Sequence, residues 1–192
     1  MPSRYLGILL AAGAGTRYGQ PKILAHDGAW LRTATATLQQ GGCARVYIAT
    51  GAARPPLPLG TTELHVEAWT RGLGATVHAA IAAVTALTCN NDEHDNLVLH
   101  TIDTPDVGPD VLARLIAHHP GPAGITRAHY QGRPGHPVII GRDHWQPLLA
   151  SLSELSGGSS DAGARHYLRE RDVLGVECGD LATGADIDYP GC

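Results

Sequence analysis

The chain has 192 residues, of which 43% are hydrophobic and 5% are aromatic, and it contains no phenylalanine. This length fits one domain, residues 1–192, with a core of alanine, leucine, isoleucine and valine, which suits helices packed on a sheet. The formal net charge of -4 and the lack of a long basic run argue against nucleic-acid binding. No apolar run reaches the roughly 20 residues of a membrane span, and the four cysteines are scattered, so we expect a cytoplasmic protein with reduced thiols and a small-molecule ligand.

Short β-rich runs alternate along the chain with longer stretches rich in alanine and leucine. The alternation predicts an α/β fold with three αβα layers and an open, mostly parallel, Rossmann-like sheet. The predicted strands are Leu6–Leu10, Val46–Thr50, Leu64–Glu67, Asn96–Thr101, Ala123–Thr126, Pro137–Ile140 and Val173–Glu177. The predicted helices are Trp30–Gln40, Gly74–Leu87, Pro109–His118, Asp143–Leu152 and Ala162–Glu170. The segments Ala53–Thr62 and Cys89–Asp95 predict exposed loops.

A glycine-rich segment follows the first predicted strand. It contains Gly13, Gly15 and Gly19, and Arg17 and Lys22 add two cations. In an open α/β sheet the ligand site lies beyond the carboxyl ends of the strands, and glycine lets backbone amides approach phosphate groups closely. The segment therefore predicts a phosphate-binding loop.

Spacing separates the kinds of phosphate loop that this segment can form. A P-loop needs Gly-Lys followed by Ser or Thr, whereas Gln20 and Pro21 follow Gly19 here. A dinucleotide loop needs an acidic residue near the end of the second strand, which ends instead at Thr50 and Gly51. Arg17 and Lys22 place more positive charge in the loop than a pyrophosphate held on a helix N-terminus requires, which favours a triphosphate. A Rossmann oxidoreductase and a glycine-rich turn with two solvated cations remain open as alternatives.

The stretch Leu10-Ala-Ala-Gly13 through Arg17, Gly19 and Pro21-Lys22 resembles the signature of the molybdenum cofactor nucleotidyltransferases, which belong to the larger group of cytidylyltransferase-like enzymes. Five later segments are similar to this family in the same order: Glu67–Ala75, Asp103–Pro105, Gly132–Pro137, Asp161–Arg165 and Asp186–Pro190. The resemblance implies an NTP-transferase domain with the fold of nucleotide-diphospho-sugar transferases. Because Leu-Ala-Ala-Gly is similar to the CTP-using branch, it also implies transfer of CMP from CTP to molybdopterin or a similar phosphorylated cofactor precursor, with release of pyrophosphate.

Nucleotidyl transfer moves negative charge across the α-phosphorus, so catalysis needs aligned positive charge. We assign Lys22 to the α-phosphate and Arg17 to the β- and γ-phosphates. Mg²⁺ prefers carboxylate and phosphate oxygens, and we assign it Asp103 as first ligand and Asp188 as second, with Asp186 in reserve. Asp103 can instead serve as a turn or cap residue. The predicted nucleotide-binding residues are Leu10, Ala11, Ala12, Gly13, Gly15, Thr16, Arg17, Lys22, Gly72 and Ala75.

Four residues are predicted to bind the acceptor. His136 precedes Pro137 at a strand entrance, where it contacts the acceptor or ties down the loop. Asp161, Gly163 and Arg165 open a predicted helix, where they bind the acceptor phosphate or only cap the helix.

Other functions stay open at this point. One is a different cytidylyl- or guanylyltransferase that acts on a sugar, polyol or phospholactate-type phosphate. Another is a non-catalytic nucleotide-binding partner of a molybdoenzyme. The expected partners are CTP or another NTP, a phosphorylated small-molecule acceptor, and a molybdoenzyme or its chaperone.

Overall fold

Seven strands form one sheet in the computed structural model, which describes residues 4–88, 95–154 and 164–190. The strands are β1 (Arg4–Leu10), β2 (Arg45–Thr50), β3 (Thr61–His65), β4 (Asp95–Thr101), β5 (Ile125–Tyr130), β6 (Arg133–Gly141) and β7 (Leu174–Glu177). They lie in the order β3-β2-β1-β4-β6-β5-β7, and within these described ranges only β6 is antiparallel to its neighbours. The predicted mostly parallel sheet is confirmed.

Helices cover both faces of the sheet. They are α1 (Ala25–Gln40), α2 (Leu73–Leu87), α3 (Pro109–His118), α4 (Trp145–Glu154) and α5 (Arg165–Arg169), with 3-10 turns at Lys22–Leu24, Glu67–Arg71 and Arg142–His144. The helices α1 and α3 pack in one core cluster, whereas α2, α4 and α5 pack in the other. The predicted three-layer αβα fold is therefore confirmed. In the part of the chain that the structure describes, no helix is both long and apolar enough to cross a bilayer.

The central strands are buried on both sides. In β1, Leu9 packs in the cluster of α1 and α3, while Leu6 and Ile8 pack in the cluster of α2 and α4. All three side chains are fully buried. Such strands read as continuous apolar runs, which explains why β1 and β4 were recognisable in the sequence.

The β5–β6 hairpin differs from the sequence prediction. The predicted strands Ala123–Thr126 and Pro137–Ile140 are longer and shifted, since β5 continues to Tyr130 and β6 already begins at Arg133. Gln131 and Gly132 form the turn with φ angles of 52° and 76°, as a two-residue hairpin turn of this kind requires. Pro134 and Gly135 are poor strand formers, so local propensity gave no sign of the longer strand.

The boundaries of three other elements also differ from the sequence prediction. The strand predicted at Leu64–Glu67 is β3, which ends at His65 because Glu67 begins a 3-10 turn. The helix predicted at Ala162–Glu170 is described only as the five residues of α5, and the predicted positions before Ala164 lie outside the described residues. In α1, residues 26–28 have left-handed backbone angles, so regular helix starts close to the predicted Trp30.

Candidate active site

The glycine-rich segment leaves the sheet at the centre of its carboxyl edge. Its first residues extend the parallel ladder, because Ala11 N donates to Ala49 O at 3.1 Å and Ala52 N donates to Ala12 O at 3.0 Å. On the other side, Ile102 N donates to the carbonyl of the last β1 residue. The ends of β1, β2 and β4 therefore meet at one place, where an open α/β sheet binds its ligand.

The loop itself is closed by short-range contacts. Gly19 N donates to Gly15 O at 2.8 Å, and a Cβ at Gly15, whose φ is +61°, would collide with the carbonyl of Gln20. Tyr18 packs on Trp30 of α1, with ring centroids 5.1 Å apart. The 3-10 turn that follows, Lys22–Leu24, lies at the carboxyl edge, because Lys22 contacts Asp103 just after β4.

Lys22 lies between two carboxylates. Its Nζ donates to Asp103 Oδ2 at 3.1 Å and to Asp188 Oδ1 at 3.0 Å, and its side chain is only 12% exposed. Arg17 Nη1 donates to the other oxygen of Asp188 at 3.2 Å. Four residues singled out in the sequence are thus in one cluster, although they come from the loop, the end of β4 and the C-terminal segment.

Charge inside this cluster shifts the ionisation of its members. Burial lowers the pKa of Lys22, but the charges and hydrogen bonds of Asp103 and Asp188 outweigh it, and the net pKa lies above the ordinary value. The hydrogen bond from Lys22 keeps the pKa of Asp188 low. Loss of hydration and the charge of Asp103 raise the pKa of Asp186. Lys22 therefore stays protonated, and Asp186 binds a proton more readily than an ordinary aspartate does.

The oxygens of this cluster suit a hard divalent cation. Oδ1 of Asp103 is buried and has no hydrogen-bond partner within the described residues. Gly108, not Asp103, is the N-cap of α3, so the capping role considered for Asp103 does not apply to that helix. Among the residues that the structure describes, no three or more His, Cys, Asp or Glu side chains form a metal-binding group. Mg²⁺ usually takes only one or two protein carboxylates, and Asp103 with Asp188 supplies that number.

Asp106 anchors the segment that carries Asp188. Its Oδ2 accepts hydrogen bonds from the backbone N and the Oγ1 of Thr183, both at 2.6 Å. Further along, Ile187 N donates to Asp103 O at 2.9 Å. Two tethers thus hold this segment against the end of β4. The sequence carried no signal for Asp106, since a lone aspartate after a proline is common in turns.

The antiparallel β6 starts at the same edge of the sheet and brings His136 to it. The His136 Nδ1 lies 3.3 Å from the carbonyl oxygen of Leu99, and the Tyr130 hydroxyl donates to His136 O at 2.7 Å. Burial lowers the pKa of His136, which favours the neutral imidazole. A cavity of about 80 Å³ opens here, lined by Leu10, Leu73, Val77, Leu99, Arg127, His136, Val138, Ala164, Arg165 and Leu168. Of the predicted acceptor residues, His136 and Arg165 line it, whereas Asp161 and Gly163 lie outside the described residues.

The remaining predicted nucleotide-binding residues lie around the carboxyl edge. Ala11 and Ala12 are buried at the start of the loop, while Gly13 and Thr16 are exposed. Gly72 and Ala75 belong to the N-terminal end of α2. Trp69, in the preceding 3-10 turn, is partly buried against the α2 and α4 cluster. A Cβ at Gly51 would meet the Trp69 ring, so this tryptophan closely covers the end of β2.

Sequence reasoning missed Arg127 and Tyr130 altogether. Both belong to β5, and they reach the site only because β6 returns antiparallel beside β4. An isolated arginine or tyrosine in a strand has no pattern that marks it, and the pairing of distant strands decides what it contacts.

Known proteins resemble this chain over nearly its whole length. It is 35% identical, over 95% of its own length and 91% of the other, to nicotine blue oxidoreductase from Paenarthrobacter nicotinovorans. The structure of Rv0371c from Mycobacterium tuberculosis H37Rv is 25% identical, with a TM-score of 0.69 and coverage of 98% of this chain and 95% of that one. The same protein has been solved with manganese. The 2-C-methyl-D-erythritol 4-phosphate cytidylyltransferase from Thermus thermophilus shares the fold at 19% identity, with a TM-score of 0.66 and coverage of 99% and 94%.

A family model, that of the MobA-like NTP transferase domain, matches residues 7–174. The match includes the glycine-rich loop, Lys22 and Asp103, and it agrees with the resemblance found in the sequence. Since the match spans well over half of the chain, the protein belongs to the family of MobA-like NTP transferase domains, and this membership supports nucleotidyltransferase activity.

Proposed function

We propose that this protein transfers CMP from CTP to molybdopterin or a similar phosphorylated cofactor precursor and releases pyrophosphate. The contact of Lys22 with Asp103 and Asp188 supports the proposal most directly, because it sets a cation and two carboxylates beside the glycine-rich loop. The proposal includes a cytoplasmic location and delivery of the product to a molybdoenzyme or its chaperone. The choice of CTP rests on the Leu-Ala-Ala-Gly resemblance and on the cytidylyltransferase of the same fold.

In this reaction an oxygen of the acceptor phosphate attacks the α-phosphorus of CTP. The new P–O bond forms as the bond to the β-phosphate oxygen breaks, and pyrophosphate leaves with the displaced charge. Lys22 neutralises the α-phosphate, and the fork of the Arg17 guanidinium binds the β- and γ-phosphates. No general base is needed, because a phosphomonoester has a second pKa of about 6 and is largely dianionic at neutral pH.

Asp103 and Asp188 would hold Mg²⁺, whose chemistry here is to bind phosphate oxygens and offset their developing charge. The partnerless Oδ1 of Asp103 is free to become a ligand without breaking a contact in the described chain. Both oxygens of Asp188 pair with cations, Oδ1 with Lys22 and Oδ2 with Arg17, so Asp188 would hold the metal only after these contacts are released. The arrival of a triphosphate supports this exchange, since it attracts both cations away from the carboxylate. The manganese complex of Rv0371c is consistent with a divalent ion on this fold.

On the acceptor side, Arg165 pairs with the acceptor phosphate and neutral His136 orients it. Both line the cavity next to β4, and His136 lies near enough to Asp103 for the charge of that carboxylate to act on its imidazole. Asp161 and Gly163 complete this side of the proposal from sequence alone. A sugar, polyol or phospholactate-type phosphate is the alternative acceptor, and GTP is the alternative donor.

The test is an assay of pyrophosphate release with each NTP, Mg²⁺ and a panel of acceptors, molybdopterin included. Lys22→Ala and Asp103→Ala should each abolish most turnover while the circular dichroism spectrum stays unchanged. Asp172→Ala is the matched control, because this exposed carboxylate precedes β7 at the opposite edge of the sheet. Well-folded protein that releases no pyrophosphate with any acceptor contradicts the proposal, and near-normal rates in either variant contradict the assigned roles.

The similarity to nicotine blue oxidoreductase favours one second candidate, an oxidoreductase. A nicotinamide cofactor on this fold normally has its ribose held by an acidic residue near the end of the second strand. Here β2 ends at Thr50, whose hydroxyl donates to Glu63, and that carboxylate is already occupied by Arg54. Titration with NADH and NADPH separates the two candidates. Binding of either cofactor, with no Mg²⁺-dependent pyrophosphate release, would support the oxidoreductase.

A further inference from the structure

The cavity beside His136 has two arginines in its wall. Arg127 comes from β5 and Arg165 from α5, and the cavity volume is about 80 Å³. Pockets that enclose a whole drug-sized ligand have about 300–1,000 Å³. This cavity therefore accepts one chemical group of a ligand, not the whole molecule.

Within the described residues, neither guanidinium group of the cavity, that of Arg127 or that of Arg165, forms an ion pair. The Asp186 carboxylate acts on both through its charge, but beyond ion-pair distance. Loss of hydration and the nearby charge of Arg165 lower the pKa of Arg127. Two neighbouring cations that no carboxylate contacts directly destabilise each other, and an anion between them would reverse this effect.

Arg127 is held in place by β6. Its Nε donates to Gly135 O at 2.9 Å, and Nη2 lies 3.5 Å from Pro134 O. Both contacts use uncharged backbone carbonyls, so they fix the side chain without neutralising it. A positioned, partly desolvated arginine suits recognition of a phosphate group.

The rest of the described cavity wall is aliphatic, apart from His136. Leu10, Leu99, Val138 and Leu168 contribute to it, and no hydroxyl or amide side chain does. A hydroxyl group buried against such a surface loses its hydrogen bonds to water without gaining new ones, which is unfavourable. The wall therefore disfavours a ligand with hydroxyl groups next to its anionic end.

We propose that Arg127 and Arg165 together bind the acceptor's phosphate, and that the aliphatic wall selects a phosphomonoester without hydroxyl groups beside that phosphate. This inference rests on the proposed function, in which the acceptor phosphate is the attacking group. It adds Arg127 to the acceptor site and separates acceptors by chemical class, since sugar and polyol phosphates carry hydroxyl groups where the wall is aliphatic.

The experiment is calorimetric titration of the protein with two probes, phenyl phosphate and glycerol 3-phosphate, with and without Mg²⁺ and a non-hydrolysable CTP analogue. Phenyl phosphate should bind more tightly than glycerol 3-phosphate. Arg127→Ala and Arg165→Ala should each weaken phenyl phosphate binding about tenfold to a hundredfold, the effect of losing a charge-assisted hydrogen bond. Arg127→Lys should retain part of the affinity. Arg45→Ala, which removes an exposed arginine at the amino end of β2, should change nothing.

Arg165 provides the safer variant, because it is exposed, whereas Arg127 also links β5 to β6. Unchanged phenyl phosphate affinity in Arg165→Ala and Arg127→Ala would overturn the proposal. Equal affinity for the two probes, or no binding of phenyl phosphate to the wild-type protein, would also overturn it. The CTP analogue titration reports separately on the proposed function, since failure to bind the nucleotide contradicts the transferase activity while the phosphate titration still tests the two arginines.

Discussion

Replacing Lys22 by methionine should change catalysis and metal binding in opposite directions. Methionine has a similar length and no charge, so the variant leaves Asp103 and Asp188 without the cation that they share. Turnover should fall about a hundredfold to a thousandfold, as when one preorganised donor to a developing charge is lost. Metal binding without nucleotide should become tighter, because a divalent ion no longer competes with the lysine for the two carboxylates.

The expected gain in metal affinity can be estimated from the exposure of the Lys22, Asp103 and Asp188 side chains. Lys22 is 12% exposed and Asp103 is 26% exposed, so their contact is partly buried, whereas Asp188 is 43% exposed and its contact is screened by solvent. We assign about 1.5 kcal/mol to the first contact and about 0.5 kcal/mol to the second. Release from both amounts to about 2 kcal/mol, which allows a gain of up to about 30-fold in metal affinity.

The assay is calorimetric titration with Mn²⁺ in the absence of nucleotide, run beside the pyrophosphate-release assay. The double variant Lys22→Met with Asp103→Asn should lose the gain, because one ligand is missing. The control Asp172→Ala should match the wild-type protein in both assays. If Lys22→Met binds Mn²⁺ no more tightly than the wild-type protein, the two carboxylates are not the metal ligands.

Three further predictions use single groups as reporters. Lys22 is the only lysine in the chain, so after ¹³C-methylation its side chain gives a unique NMR signal. Asp188→Asn should lower the pKa of Lys22 measured from this signal, because the variant removes one of the two carboxylates that raise it. An unchanged pKa would refute the pairing. Burial lowers the pKa of His100 to about 3 in the folded protein, so on acidification His100 binds a proton in the unfolded chain at a higher pH than in the folded one. Acidification from pH 6.5 to 4.5 should therefore lower the free energy of unfolding by roughly 2.5 kcal/mol. His100→Leu should reduce this loss in urea titrations at the two pH values; an equal loss would refute it. Trp69 is partly exposed, whereas Trp30 and Trp145 are buried, so CTP with Mg²⁺ should change tryptophan emission in the wild-type protein but not in Trp69→Phe.

The parts of the site that the sequence revealed are those that follow from local patterns and from one rule of parallel sheets. The glycine-rich loop and Lys22 lie within thirteen residues of the end of β1 and are recognisable as a motif. Asp103 follows a buried parallel strand, and the rule that carboxyl ends meet at one edge placed it near the loop. The structure adds the contact itself, at 3.1 Å from Lys22.

The parts that the sequence did not reveal depend on strand order and on long-range tethers. Arg127 reaches the cavity beside His136 because β6 lies antiparallel between β4 and β5. No periodicity distinguishes an antiparallel strand within a parallel sheet when Pro134 and Gly135 interrupt its start. Asp106 accepts hydrogen bonds from the backbone N and the hydroxyl of Thr183, a contact across 77 positions that residue type alone does not indicate.

Asp103 and Asp188 come from two parts of the chain, one inside and one outside the region that matches the family model. Asp103 lies inside the matched family region, residues 7–174, while Asp188 lies beyond it on the segment that Asp106 anchors. In the structure, Asp188 pairs with both Lys22 and Arg17, the two cations assigned to the triphosphate. A triphosphate that attracts these cations frees Asp188 at the same moment, and the freed carboxylate is then available to Mg²⁺. We therefore expect nucleotide and metal to bind cooperatively, with the coupling carried by Asp188.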